Sequence, residues 1–257
     1  MKTDRREFLQ QFAAAALMAS GLPSALPAEA AASQKIKAVA FDAFPIFDPR
    51  PIAALAESLF PGKGAQLGNA WRTRQFEYQW LRVLSGHYAD FWQTTEEALV
   101  FAARALQLEL TPDKREQLMR AYLELDAWPD VLPALRVLRQ SGLRLALLSN
   151  WTGSMLDAGI RNAGLEGIFE HVLGTDRIAS HKPDPRAYQM GLDAFGLERE
   201  EVLFAAFAGW DVAGAKWFGY PTFWVNRLGF PAEELGVAAD AAGRDLSDLL
   251  AFIRNAA

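Results

Sequence analysis

The apolar positions of this 257-residue chain change period twice. A short continuous run, Ile36–Phe41, breaks at Asp42, as expected of a strand buried on both faces of a parallel sheet. From there to about Trp128 the period is helical. Ile52–Leu59, Leu67–Leu84, Thr95–Leu106 and Pro112–Leu125 each carry apolar residues three and four apart. Pro61-Gly62-Lys63-Gly64 separates the first two, and Thr111-Pro112 supplies an N-cap followed by proline at the first helical position. Beyond Pro129, short apolar runs alternate with amphipathic ones. Strands are expected at Leu143–Leu148, His171–Leu173, Val202–Ala208 and Pro221–Val225. Helices are expected at Val131–Gln140, Met155–Ala163, Asp184–Phe195, Val212–Phe218 and Leu246–Asn255. This alternation predicts an α/β fold, a doubly wound parallel-sheet core with a helical cap inserted after the first strand. The expected division is a core of 33–48 and 129–257 and a cap of 49–128.

Residues 1–32 stand apart. Asp4-Arg5-Arg6-Glu7-Phe8-Leu9 resembles a twin-arginine export signature, followed by the weakly apolar Phe12–Ala19 and small residues around Ala28-Glu29-Ala30. Charged, apolar and small-residue regions in that order predict a cleavable signal peptide. The apolar stretch falls short of the ~20 residues that span a bilayer. The expected partner is the twin-arginine export machinery, and the expected location is the periplasm. A formal charge of −5 with no basic stripe disfavours nucleic acid as a partner. The absence of cysteine excludes disulfides, thiolate metal ligands and cysteine nucleophiles. His87, His171 and His181 are scattered, so neither a metal site nor a cofactor is expected.

Four polar sites fall at or just after expected strand ends. They are Asp42, Ser149-Asn150, Lys182 in His181-Lys182-Pro183-Asp184, and Asp211 in Ala208-Gly209-Trp210-Asp211. In open α/β sheets such positions converge outside the carboxyl ends of the strands, where ligands bind. A carboxylate there can act as a nucleophile that forms an ester and later releases it to water. Trp71, Phe76, Trp80, Phe91, Trp92 and Trp210 could wall an apolar pocket. Aromatics at helical spacing are more often packing, so only Trp210 is placed in the pocket.

With these residues in view, the chain resembles the haloacid dehalogenase superfamily of hydrolases, and within it the L-2-haloacid dehalogenase (type II) branch. The cues are FDAFPIFD (41–48), WRTRQFEYQWLR (71–82), LLSNWT (147–152), HKPDPRAY (181–188) and GWDVAGAKWFGYPTFWVNR (209–227). The resemblance implies a Rossmann-like core and a metal-independent hydrolase. Asp42 would attack C2 of a small 2-substituted carboxylate and displace the leaving group with inversion. Ser149 and backbone amides near Ala43 and Phe44 would hold the substrate carboxylate. Arg72, helped by Asn150, would cradle the departing anion. Lys182 would keep Asp42 ionised, and Asp211 would position or deprotonate the hydrolytic water. Tyr188 matches a family tyrosine near the lysine and is counted among the binding residues. A homodimer is expected by the same analogy.

The branch also includes enzymes that open the ring of azetidine-2-carboxylate, which is a second enzymatic reading. A non-catalytic binding protein on the same scaffold is a third. Phosphatases of the superfamily carry a second Asp where this chain has Phe44, and further carboxylates near Gly209 and Trp210, so phosphoryl transfer is disfavoured. The family's usual glycine and threonine after the first-motif aromatic are Pro45 and Ile46. Its serine and asparagine before Asp211 are Ala206 and Ala208, and Trp151 stands where a small residue is common.

Overall fold

The computed structural model describes residues 36–256; the expected export signal lies outside them. Six strands form one sheet in the order β3-β2-β1-β4-β5-β6, every neighbouring pair parallel. They are β1 (Ala38–Phe41), β2 (Arg144–Ser149), β3 (His171–Gly174), β4 (Val202–Ala206), β5 (Thr222–Val225) and β6 (Ala241–Gly243). The inner strands bury both faces by alternation. Val39 and Phe41 of β1 enter one apolar cluster with Leu145, Leu147 and Leu203. Ala38 and Ala40 enter the other with Leu148 and Phe204. Short, almost wholly apolar strands are the form a sheet takes when helices cover it on both sides.

Helices α1 (Arg50–Leu59), α2 (Gly64–Ser85), α3 (Phe91–Ala105) and α4 (Pro112–Arg120) lie between β1 and β2. Helices α5 (Val131–Gln140), α6 (Gly153–Asn162), α7 (Pro185–Phe195), α8 (Gly209–Phe218) and α9 (Leu246–Ala256) alternate with the remaining strands. Apolar residues of α5, α6 and α9 pack on one face of the sheet, and those of α7 and α8 on the other. Short-range signals set the helix starts. Thr111 accepts from Lys114 N at 3.3 Å, and Thr152 from Met155 N at 3.2 Å.

Where the helical segment leaves and rejoins the core, its two ends pair. Asp48 N donates to Asp126 O at 2.9 Å and Trp128 N to Ile46 O at 3.0 Å. That pairing fixes the loop carrying Asp42 against the end of the four-helix segment.

Several boundaries differ from expectation. The expected strand Val202–Ala208 ends at Ala206, because the chain turns there into α8. The expected helix Pro112–Leu125 stops at Arg120 and tightens to one 3₁₀ turn, Ala121–Leu123. α6 begins at Gly153 rather than Met155, since Thr152 is its cap.

One close approach couples the fold to the site. A Cβ on Gly214 of α8 would collide with the Tyr188 hydroxyl and lie 2.8 Å from Pro183 Cβ. Gly214→Ala is therefore expected to destabilise by about 1–3 kcal/mol through overpacking. Urea denaturation checks this, and an unchanged midpoint would contradict it.

Candidate active site

β1 lies at the point where the strand order reverses, with β2 on one side and β4 on the other. Crevices at such switch points are where open α/β sheets bind ligands. Asp42 follows β1, Ser149 ends β2, and the β4–α8 turn brings in Ala208 and Trp210. Lys182 enters from the loop before α7, and Asp211 from the first turn of α8.

The Lys182 ammonium joins two carboxylates. Its Nζ donates to Asp42 Oδ1 at 2.8 Å and to Asp211 Oδ2 at 2.6 Å. The Lys182 and Asp211 side chains are 1% exposed and that of Asp42 is 13% exposed. Of the two carboxylates, then, only Asp42 can be reached from outside.

Burial works against a charge on Lys182, but attraction to Asp211 and Asp42 more than offsets it and raises its pKa. Burial pushes Asp211 up to about 6, against the pull of Lys182. Tyr188 donates to Asp211 Oδ1 at 2.7 Å. Burial, then the Asp211 charge, hold this phenol well above its usual pKa, so it remains a donor. The Lys182 cation thus stands between the two carboxylates.

Around it, Asn150 Oδ1 accepts from Lys182 N at 2.7 Å while its Nδ2 donates to Gln79 Oε1 at 3.1 Å. Ser149 Oγ accepts from Trp151 N at 3.3 Å. Phe44 N points at Asp42 Oδ2, at a long 3.4 Å.

A cavity of about 350 Å³ opens onto this cluster. Asp42, Phe44, Arg72, Ser149, Asn150 and Lys182 are in its wall, as is Trp210. The Arg72 guanidinium lies 5.8 Å from the Phe76 ring centre and 5.5 Å from that of Phe230. It takes part in none of the ion pairs among the described residues. A cation left without an anion beside aromatic faces suits an anionic ligand.

Some expected contacts are not the ones found. Tyr188, expected among the binding residues, is fully buried, lies outside the cavity wall and touches Asp211. Asp211 is also absent from the wall. Its two oxygens are committed to Lys182 and Tyr188, and neither faces the cavity. Ala43 is buried beneath the loop and forms no wall. Asn150, expected to assist Arg72, is engaged with the Lys182 backbone and Gln79. Trp71, Phe76 and Phe91, taken as packing, do line the cavity alongside Trp210.

Other residues important to the site were not foreseen. Arg227 donates to Pro45 O at 2.7 Å and pairs with Asp130 at 2.9 Å. Trp128 Nε1 donates to Phe44 O at 3.0 Å. Together they hold the loop after Asp42 by its carbonyls, which local spacing cannot reveal. Trp151 stacks on Phe47 at 5.5 Å and meets Phe44 edge-on at 5.5 Å. Among the described residues no three His, Asp, Glu or Cys side chains cluster as metal ligands.

The fold and site define an aspartate-bearing α/β protein with a helical insertion over its switch point. The model of the haloacid dehalogenase-like hydrolases matches residues 29–219, and the chain belongs to that family. A haloacetate dehalogenase, H-2, from Moraxella sp. (strain B) is 41% identical over 208 residues, 80% of this chain and 93% of its own. An (S)-2-haloacid dehalogenase from Pseudomonas sp. (strain YL) is 41% identical over 206 residues, 80% and 89% of the two chains. The solved structure of the L-2-haloacid dehalogenase from Xanthobacter autotrophicus with chloropropionic acid covalently bound superposes with a TM-score of 0.79. It has 35% identity and covers 86% of this chain and 100% of the other.

Replacing Lys182 by Met keeps its length and removes the only cation touching Asp211. The expected loss is about 3–5 kcal/mol of stability, from a buried carboxylate left unpaired. Chemical denaturation measures it; a loss under about 1 kcal/mol would mean that the pair is not a strong contributor.

Proposed function

We propose that the protein hydrolyses (S)-2-halocarboxylates to the inverted 2-hydroxy acid, through an ester on Asp42. The observation that carries this reading is the placement of Asp42. It is the one triad carboxylate in the cavity wall, and Lys182 holds its Oδ1 while Asp211 stays sealed behind.

An Asp42 oxygen attacks C2 from the side opposite the halogen. The C2–O bond forms as the C2–halogen bond breaks, and the halide leaves with the electron pair. It needs no proton, which suits Phe44 standing where a phosphatase would carry an acid. Arg72 offers the departing anion a counter-charge, and Ser149 with the Phe44 amide faces the substrate carboxylate. Water then attacks the ester carbonyl of Asp42, and the alcohol departs with the aspartate's original oxygen. One water proton goes to the departing alkoxide and the other is left over. Asp211, held at about 6, is the acceptor matched to it at neutral pH, reached through Lys182. The residues do not suit a bound divalent cation, because the Lys182 ammonium already occupies the space between the two carboxylates.

A single turnover in ¹⁸O-water is expected to label Asp42 and leave the product hydroxyl unlabelled, with halide release unaffected by a chelator. Asp42→Asn should abolish turnover. A product hydroxyl carrying the label with Asp42 unlabelled would replace this mechanism by direct attack of water, and a binding protein would form no ester at all.

The pH dependence has a definite sign. Asp211 accepts the proton only while ionised, so activity should hold above about 6 and fall as pH drops through that value. The Tyr188 hydrogen bond favours the ionised form, so Tyr188→Phe should move the acidic limb of kcat upward. A limb unmoved by this change would remove Asp211 from proton transfer.

A further inference from the structure

The expected small acid accounts for only part of the cavity. We infer that the substrate carries a long apolar substituent at C2, laid in the cleft between α1 and α2. The inference rests on the dehalogenase reading and extends it to substrate class.

The volume gives the first argument. At about 30 Å³ per water in the liquid, 350 Å³ has room for roughly a dozen water-sized groups. An acid with a methyl side chain has about half as many non-hydrogen atoms.

The shape gives the second. Gly64, Gly68, Arg72 and Phe76, four residues apart on one face of α2, all belong to the wall. At ~1.5 Å per residue, the wall runs on for roughly 12 Å beyond the level of Arg72, to Gly64. An extended chain covers that in about ten bonds, at ~3.5 Å for every three.

Apart from Asn69, the α2 side of this stretch below Arg72 is apolar. Its buried floor is Ile52, Ala56 and Gly64. A Cβ on Gly64 would strike the backbone of Ala56 and Glu57, so this glycine lets α1 and α2 close beneath the cleft. The charged neighbour Arg50 is already held by Asp48, at 2.6 Å.

The rim supplies an independent observation. Leu228 and Phe230 are 42% and 46% exposed, yet both line the cavity. Their turn is braced, with Phe230 N donating to Asn226 Oδ1 at 2.9 Å and Asn226 Nδ2 to Phe230 O at 2.8 Å. Two large apolar side chains fixed at the mouth of a cleft leave surface for an apolar ligand to cover.

The test is a series of 2-bromo acids from propanoate to decanoate, with kcat/KM read at each length. A buried methylene is worth about a fourfold gain, so kcat/KM should climb by about that factor per carbon until the cleft is filled. Gly68→Leu should collapse the octanoate-to-propanoate ratio at least tenfold. No atom lies within 4 Å of a Cβ at Gly68, and leucine is the better helix former, so this variant folds.

A second arm is independent of turnover. Calorimetric binding of halogen-free straight-chain carboxylates should tighten with length in the unaltered protein and lose that dependence in Gly68→Leu. Efficiency and binding both flat or falling beyond butanoate would overturn the inference while leaving the dehalogenase reading intact. Length-dependent binding with no halide release from any acid would support the cleft and reject the reaction.

Discussion

Everything in the site depends on one buried ammonium shared by two carboxylates. Lys182, Asp42 and Asp211 come from three separate connections of the sheet, so the contact exists only when the strand order is right. Desolvating such a cluster is expensive, and the interior returns that cost only if the geometry is good and the remaining polar atoms are satisfied. Here they are, because Asp211 gives its second oxygen to Tyr188 and the Lys182 backbone is tied to Asn150. The exposed end of the cluster is the Asp42 carboxylate, the part left free to react. Stability and chemistry therefore make the same demand, that Lys182 stay charged in a place where burial alone would neutralise it.

How much of this was legible in the sequence follows from the range of each interaction. Asp42, Lys182 and Asp211 could be found because each interrupts or follows an apolar run, and strand ends on a parallel sheet are brought to one edge by topology. The cap at Thr111 could be found because its partner lies three residues away. β6 could not, since Ala241–Gly243 is a three-residue edge strand with no apolar period. Arg227 reaches Pro45 across 182 positions and binds a carbonyl, which any residue could have supplied. The aromatic residues of α2 show their face by spacing, but spacing does not say whether that face meets a core or a cavity. Trp71 and Phe76 turned out to meet a cavity.

The replacements in the family pattern have a common physical consequence. Pro45, Ile46, Ala206 and Ala208 bring no side-chain hydrogen-bonding group to this part of the chain. Ile46 and Ala206 are fully buried, and the Pro45 carbonyl is taken by Arg227. Trp151, 1% exposed, fills the space between Phe44 and Phe47. The surface around the nucleophile at these positions is packed, apolar and aromatic. In such surroundings charges interact more strongly than in water, so the Lys182 and Arg72 cations act on reacting groups with less screening.

The same apolar surroundings bear on what the cavity selects. A pocket lined by hydrogen-bonding groups discriminates by polarity, because an unmatched donor or acceptor is costly to bury. A pocket lined by hydrocarbon discriminates by shape and by the area it removes from water. With Ser149, Asn150 and Lys182 at the reacting end and Ala56, Gly64 and Gly68 along α1 and α2, the wall divides into a polar part fitted to a carboxylate and an apolar part fitted to a substituent. Gly68 gives the second part its width, since it withholds side-chain volume from a helix face that elsewhere carries Trp71 and Phe76. Apart from Arg72 on α2, the reacting groups thus sit on the sheet edge, while the substituent meets the α1–α2 pair. Within that pair Gly68, with open space beside it, can change without touching the charge cluster.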